Sequence, residues 1–267
     1  MDWSKIKTIF IISFLILDIY LVYEFFKIQV TNEYEIQTEA SIEKWLKADE
    51  IEYGQLPTGY REEYYLKARP KVFKEEDTER AIFFDQTVTI IGSTALESVL
   101  DKPYKIKDKF EPSDLGGFIK THILYGEQYR YWEKDNEKRT ITYYQQYQGK
   151  PFYQNINGEL KFLLNEENEI ISYEQTYLSE IKELSESEKI IQPINAIETL
   201  YQGGYLDPKS KITNVELGYY TLVPLSDTTQ VMNPAWCFVI NDEKRLFVSA
   251  FEGKIVDLNA KGNKEVE

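Results

Sequence analysis

The sequence predicts an α+β protein: an N-terminal transmembrane helix, then two units that each combine a helix with an antiparallel sheet. Three observations carry this reading. One near-continuous apolar run stands at the start, Ile6 to Phe26. The rest is polar but rich in tyrosine, with 21 Tyr in 267 residues and aromatics at 15%, a composition that suits strands. Helical spacing followed by short strand-like runs and polar turns occurs twice along it. The units are drawn at 1–28 for the cytoplasmic tip and anchor, 29–183 for the first α+β unit and 184–267 for the second.

The run IKTIFIISFLILDIYLVYEFF supplies about twenty residues, and at ~1.5 Å each these cover a ~30 Å hydrocarbon core. Asp18 interrupts it at a cost of ~2.5 to 3.5 kcal/mol, which the surrounding Ile, Leu, Phe and Val residues offset. Lys5 and Lys7 precede the run and only Lys27 closely follows it. That bias places the N-terminus in the cytoplasm and the body outside. No small-x-small cleavage site follows, so the segment reads as an uncleaved signal anchor. Ser13, five residues before Asp18, is taken to share its side of the helix.

Beyond the anchor, Gln29 to Thr38 reads as a helical continuation or stalk. Ile42, Trp45 and Leu46 give Ser41 to Asp49 a helical face. Tyr60 to Phe73 reads as a strand, with Pro70 marking an edge or a bend. Ala81–Phe84 and Thr87–Ile91 are expected strands, Ser93–Leu100 a short helix, and Lys102–Lys109 a basic loop. Ser113 or Asp114 caps a helix through Phe118, Ile119 and Ile123. Strands follow at Tyr129–Trp132, Thr140–Tyr147, Phe152–Gln154, Leu160–Leu164 and Ile170–Leu178. Asn157-Gly158 reads as the turn of a hairpin between the third and fourth of these.

Ser179 to Glu188, charged and serine-rich, is the expected boundary. Pro193 opens the next helix, whose apolar face is Ile194, Ile197, Leu200 and Tyr201 and which Gly203-Gly204 ends. Strands at 212–223, 230–240, 245–251 and 254–258 complete the second unit. Phe162, Ile171, Ile197, Leu200, Trp236, Phe238 and Val248 are the expected core.

A net charge of −14 argues against nucleic acid as a partner, since phosphates would be repelled. The single cysteine, Cys237, lies among Trp236, Phe238 and Val239 and reads as a buried thiol. The single histidine, His122, reads as a helix residue near a core. One histidine and one cysteine do not make a dedicated zinc site. There is no phosphate loop, dinucleotide turn or nucleophile elbow. Glu62-Glu63, Glu75-Glu76 and Glu166-Glu167 read as solvated surface. No catalytic residue, metal site or cofactor follows from the sequence, and this points to a binding or regulatory protein.

The opening Met1-Asp2-Trp3-Ser4-Lys5-Ile6-Lys7-Thr8-Ile9-Phe10-Ile11-Ile12 with Leu15-Ile16-Leu17-Asp18 resembles the N-terminus of the YycI (WalI) family. Gly149-Lys150-Pro151 through Tyr173-Glu174-Gln175-Thr176-Tyr177-Leu178 is similar to that family's central meander. Pro234-Ala235-Trp236 and Ala250-Phe251-Glu252-Gly253-Lys254-Ile255-Val256 resemble the end of YycH- and PepSY-like α+β modules. The resemblance implies a single-pass, non-enzymatic regulator of Gram-positive bacteria. It would act with a YycH-like sibling on a sensor histidine kinase of the WalK/YycG type, which governs cell-wall metabolism. It also implies that Asp18, with Ser13, faces a partner helix rather than lipid. Two other readings stay open: an extracellular module that binds peptide or wall ligands or inhibits a protease, and a wall hydrolase.

Overall fold

The computed structural model describes residues 7, 10–22, 35–80, 83–107, 109–226 and 229–258. They fall into two units. The smaller contains helix α1 (10–22), helix α2 (Glu35–Ala48) and the segment Leu206–Ser210. Every side chain of α1 is exposed. Among the described residues no helix is long and apolar enough to cross a membrane. The residues that complete the apolar run, 6, 8, 9 and 23–26, lie outside those described, as do Lys5, Lys27 and residues 29–34 of the expected stalk. In α2, Ile42 and Leu46, one turn apart, are buried, whereas Trp45 is exposed and does not share that face. Lys209 N–H donates to the Asp49 carbonyl at 2.8 Å and Glu52 N–H to the Ser210 carbonyl at 3.0 Å, so the 206–210 segment is tied to the chain just after α2.

The larger unit is mostly strand. In chain order its elements are β1 (Glu52–Tyr53, which enters it at Tyr53), β2 (Glu62–Pro70), the one-turn helix α3 (Glu75–Thr78), β3 (Gln86–Ile91), β4 (Ala95–Lys105), α4 (Gly116–His122), β5 (Tyr129–Asp135), β6 (Thr140–Tyr147), β7 (Lys150–Pro151), β8 (Glu159–Leu164), β9 (Glu169–Thr176), β10 (Leu178–Lys189), α5 (Pro193–Gln202), β11 (Lys211–Ser226), β12 (Thr229–Ile240), β13 (Lys244–Ser249) and β14 (Ile255–Val256). They form two sheets and the class is α+β, as the sequence predicts.

The first sheet runs β3-β4-β9-β8-β6-β5, with β7 beside β6. Its β3 and β8 alternate, whereas the central β6 has five consecutive buried residues. In β8, Leu160, Phe162 and Leu164 are buried while Lys161 and Leu163 are exposed. The buried row packs with Phe118 and Ile119 of α4 and with Ile141, Tyr143, Ile170 and Tyr173. The helix expected from Ser113 or Asp114 is a 3-10 turn, Pro112–Leu115, leading into α4. Asp114 accepts the Glu111 N–H at 3.0 Å.

The second sheet places β11, β12, β13 and β14 side by side and holds β2 between β10 and β12. Trp236, Phe238 and Val248 are fully buried there, as expected, and the Trp236 indole N–H donates to the Ile191 carbonyl at 2.9 Å. Ile197 and Leu200 of α5 and Phe162 are buried too, but Ile171 is only half-buried.

Several local expectations are corrected. Ser93–Leu100 is not a helix: β4 starts at Ala95, and pairing with both β3 and β9 outweighs the local preference. It carries on to Lys105, so the start of the expected basic loop is strand. Ser179–Glu188 is not a linker but most of β10, paired with β2 across more than a hundred residues. Its charges suit an edge strand, where they discourage pairing with other chains. β2 is accordingly internal rather than an edge, with Pro70 at its end. Of the strand expected at 81–84, residues 81–82 lie outside those described, and 83–85 form a turn.

Asn157-Gly158 does not close a hairpin. β8 pairs with β6 and β9, not with Phe152–Gln154. Asn155 caps a 3-10 turn, Ile156–Gly158, by accepting the Asn157 N–H at 3.0 Å. Gly158 sits close to Gln145: a Cβ there would lie 3.2 Å from its side-chain atoms.

Candidate functional site

In α1, Asp18 shares a shallow groove with Lys7, Phe10, Ile11, Phe14 and Leu15. Lys7 and Asp18 are eleven residues apart, close to three full turns at 3.6 residues each. The Phe10 and Phe14 rings lie along this groove, 6.0 Å apart. Ser13 is not among its residues. Five positions at about 100° each put it roughly 140° around the axis from Asp18, so the helix does not bring Ser13 and Asp18 onto one side.

The most concentrated polar chemistry lies in the larger unit, where residues 150–158 leave the first sheet, meet the second and return. Phe152 bridges Tyr219 of β11, and the Tyr153 N–H donates to the Tyr219 carbonyl at 2.7 Å. The two rings then part. Phe152 joins Leu66, Ala68, Leu178 and Met232; Tyr153 joins Trp132, Tyr144, Cys237 and Phe247. Gly218 makes room for this approach, because a Cβ there would sit 2.4 Å from the Tyr153 ring.

Beside the crossing, the Lys150 ammonium pairs with Glu63 of β2, and the Tyr219 hydroxyl donates to the other Glu63 oxygen at 2.9 Å. Both charged side chains are largely buried, at 18% and 6% exposure. The ammonium also lies 5.8 Å from the centre of the Tyr60 ring and 5.9 Å from that of Tyr219. Burial, then the neighbouring Glu63 charge, pushes the Tyr219 hydroxyl far above its ordinary pKa, so it stays a donor. Glu63 is thus not the solvated surface acid that the Glu62-Glu63 pair implied. Its mate Glu62, and Glu75, Glu76, Glu166 and Glu167, are exposed. Nothing in the sequence separates Glu63 from these; only the fold, by bringing Lys150 and Tyr219 to it, does.

Two buried amides complete the crossing. Asn155 Nδ2 donates to Thr221 Oγ1 at 2.9 Å and to Gln230 Oε1 at 3.0 Å. Gln145 pairs with both backbone groups of Leu178, donating to its carbonyl at 2.9 Å and accepting its N–H at 2.7 Å. A side-chain amide here replaces a strand neighbour at the point where the chain passes from β9 to β10.

His122 ends α4. Its ring stacks on Phe118 at 4.4 Å and lies 4.4 Å from Phe84, and its carbonyl accepts from Gln86 Nε2 at 3.0 Å and the Tyr173 hydroxyl at 3.2 Å. This is the helix residue at a core edge that the sequence implied. Cys237 is buried, and burial followed by the Glu216 charge pushes its thiol far up, so it remains protonated. Among the described residues no group of three or more His, Cys, Asp or Glu side chains is placed to hold a metal ion. The arrangement is built for contact and for holding two sheets together.

No curated protein matches the chain. Several solved structures resemble it. An uncharacterized protein from Eubacterium rectale is 10% identical, with 79% of this chain and 91% of that one covered and a TM-score of 0.45. The YpeB C-terminal domain of Bacillus megaterium is 14% identical, with 70% and 97% covered and a TM-score of 0.42. YycH from Bacillus subtilis is 12% identical, with 74% and 54% covered and a TM-score of 0.41. The profile of one protein family, described as YycI protein, matches residues 31–251. That match runs through α2, both sheets and α5, and the chain belongs to the YycI family.

Proposed function

We propose that the protein is a non-enzymatic, single-pass membrane regulator. In this reading the N-terminus is cytoplasmic, the run Ile6–Phe26 crosses the bilayer, and the two sheets stand outside the cell. It binds and modulates a sensor histidine kinase of the WalK/YycG type together with a YycH-like sibling. The observation that carries the reading is the YycI family match over residues 31–251.

Two features support the mode of action. An apolar helix exposed along its described length suits a lipid or helical environment far better than water. A carboxylate within such a run is costly in lipid unless it faces a partner or a cavity. Asp18 and the Phe10/Phe14 groove therefore form the contact surface for a transmembrane helix of the kinase or the sibling. Ser13, on another side, is free to meet a second helix; interhelical polar contacts of this kind are worth ~0.6 to 2 kcal/mol.

The test is recovery of kinase and sibling with the full-length protein from native membranes, alongside kinase-dependent transcription. Asp18→Leu, at matched membrane levels, is expected to insert better and to lose partner recovery and output together. Wild-type recovery and output with Asp18→Leu would reject the contact role. Reporter fusions after Leu178 that were active only in the cytoplasm would reject the topology.

A further inference from the structure

The first residues after β2 carry an unused pairing edge. Lys71 N–H donates to the Tyr177 carbonyl at 2.7 Å and Phe73 N–H to the Ser93 carbonyl at 2.8 Å. Between these two anchored residues, Val72 makes no hydrogen bond with its N–H or its carbonyl among the described residues, and its side chain is 59% exposed. An unpaired backbone of this kind is a template for another chain. Here it is held rigid from both sides.

Val72 lines a cleft of about 880 Å³ where the end of β2 and the start of β10 meet the β3–β4 turn and the exit of β9, within the range of ligand sites, about 300 to 1,000 Å³. Tyr177 lines the cleft too. Its ring stacks on Tyr125 at 4.4 Å, and its hydroxyl donates to Gln128 Oε1 at 2.8 Å. Tyr125 has a φ of 57°, a strained conformation for a bulky residue that the surrounding structure must enforce. The next residue, Gly126, packs so closely that a Cβ would lie 2.2 Å from the Ile119 carbonyl oxygen. Arg69 also lines the cleft and faces Glu180 at 3.5 Å, with both side chains more than half exposed. Such pairs are weak and exchange partners readily. Lys71, by contrast, is committed to Asp77 at 3.1 Å.

We propose that this cleft binds an extended peptide segment of a partner protein. The peptide pairs its backbone with Val72, as in strand addition. It sets an apolar side chain against Val72 and the tyrosine pair, and an acidic residue beside it takes Arg69 from Glu180. The proposal goes beyond the regulatory reading, because it places a recognition site in the sheets that does not use α1. Its failure would leave the contact role of Asp18 untouched.

The experiment uses the full chain in detergent micelles and a display library of random nonapeptides, with binding of the enriched peptides measured by fluorescence polarisation. The enriched pool is expected to alternate, with an apolar residue and an acid nearby. Val72→Pro, which deletes the donor, and Arg69→Glu, an exposed change that spares the fold, should each weaken binding at least tenfold. N-methylation of the pairing peptide amide should do the same. No enrichment, or equal affinity for wild type and both variants, would overturn the proposal. So would competition by a neutral saccharide such as chitotriose at millimolar concentration, which would make the cleft a sugar site.

Discussion

The two sheets of the larger unit are built by opposite strategies. The first draws all its strands from residues 86–176 and joins many of them through short turns, with α4 packed on one face. The second is discontinuous. Its β2 comes from before the first sheet, yet pairs with β10 and β12 from after it. Ser179 and Arg69 are 110 residues apart and still bonded. Local pairing closes small loops; remote pairing must first meet the entropy of a large one. The first sheet is therefore expected to form early and the second to depend on it. The 150–158 crossing is where that dependence becomes structural, since its rings and its buried ion pair join β2 and β11 to the β6–β7 hairpin.

The largest effects should come from the buried core of each sheet. Trp236→Ala in the second sheet and Phe162→Ala in the first should each destabilise by ~3 to 5 kcal/mol. In urea, circular dichroism and tryptophan fluorescence should still follow one transition for either variant. Two separated transitions would show that the sheets are independent, and would break the comparison.

Next comes the buried pair. Lys150→Met leaves Glu63 charged and unpaired, at a cost of ~3 kcal/mol or more. Adding Glu63→Gln should recover much of the loss. Additive losses in this double-mutant cycle would show that the two side chains are not coupled. Asn155→Ala should cost ~1 to 3 kcal/mol, because Gln230 and Thr221 lose a buried partner. An unchanged urea midpoint would remove Asn155 from the crossing.

The smallest effect is in the loop that carries the chain from β2 to the first sheet. Burial alone would raise the Asp77 carboxyl. The Lys74 N–H at 3.1 Å, with Lys71 at 3.1 Å and Arg80 at 3.3 Å, outweighs it and holds the carboxyl below its ordinary value. Its contribution is thus complete above the unfolded carboxylate pKa of about 4 and is lost as pH falls through the lower folded value. Asp77→Asn should cost ~1 kcal/mol at pH 7 and progressively less in acid. A difference from wild type that grew below pH 4 would contradict this.

Much of the first sheet was legible in the sequence, because its signals are local. Leu160–Leu164 alternates, Thr140–Tyr147 is rich in Thr, Ile and Tyr, and Pro193 and Gly203 punctuate α5. Long-range pairing was not legible. Ser179–Glu188 has the composition of a linker, and only β2, more than a hundred residues earlier, makes it a strand. Asn157-Gly158 carries a hairpin signal, but the Asn155 cap and the close approach of Gln145 give the pair a different use. Glu63 looks like Glu62 until Lys150 and Tyr219 are brought to it. At the candidate helix, Asp18 was legible as an unpaired charge in an apolar run. Ser13 was misplaced because five residues do not return to the same side of a helix.

The proposed regulator would begin its recognition of the kinase and the sibling at the anchor face bearing Asp18. The direct measurement replaces residues 6–26 with a polyleucine span at matched membrane level and reads partner recovery and kinase-dependent transcription. Loss of both is expected, with return when Asp18, Phe10 and Phe14 are restored to the polyleucine background. Wild-type recovery and output from plain polyleucine would contradict it, making the span a tether and moving recognition to the sheets.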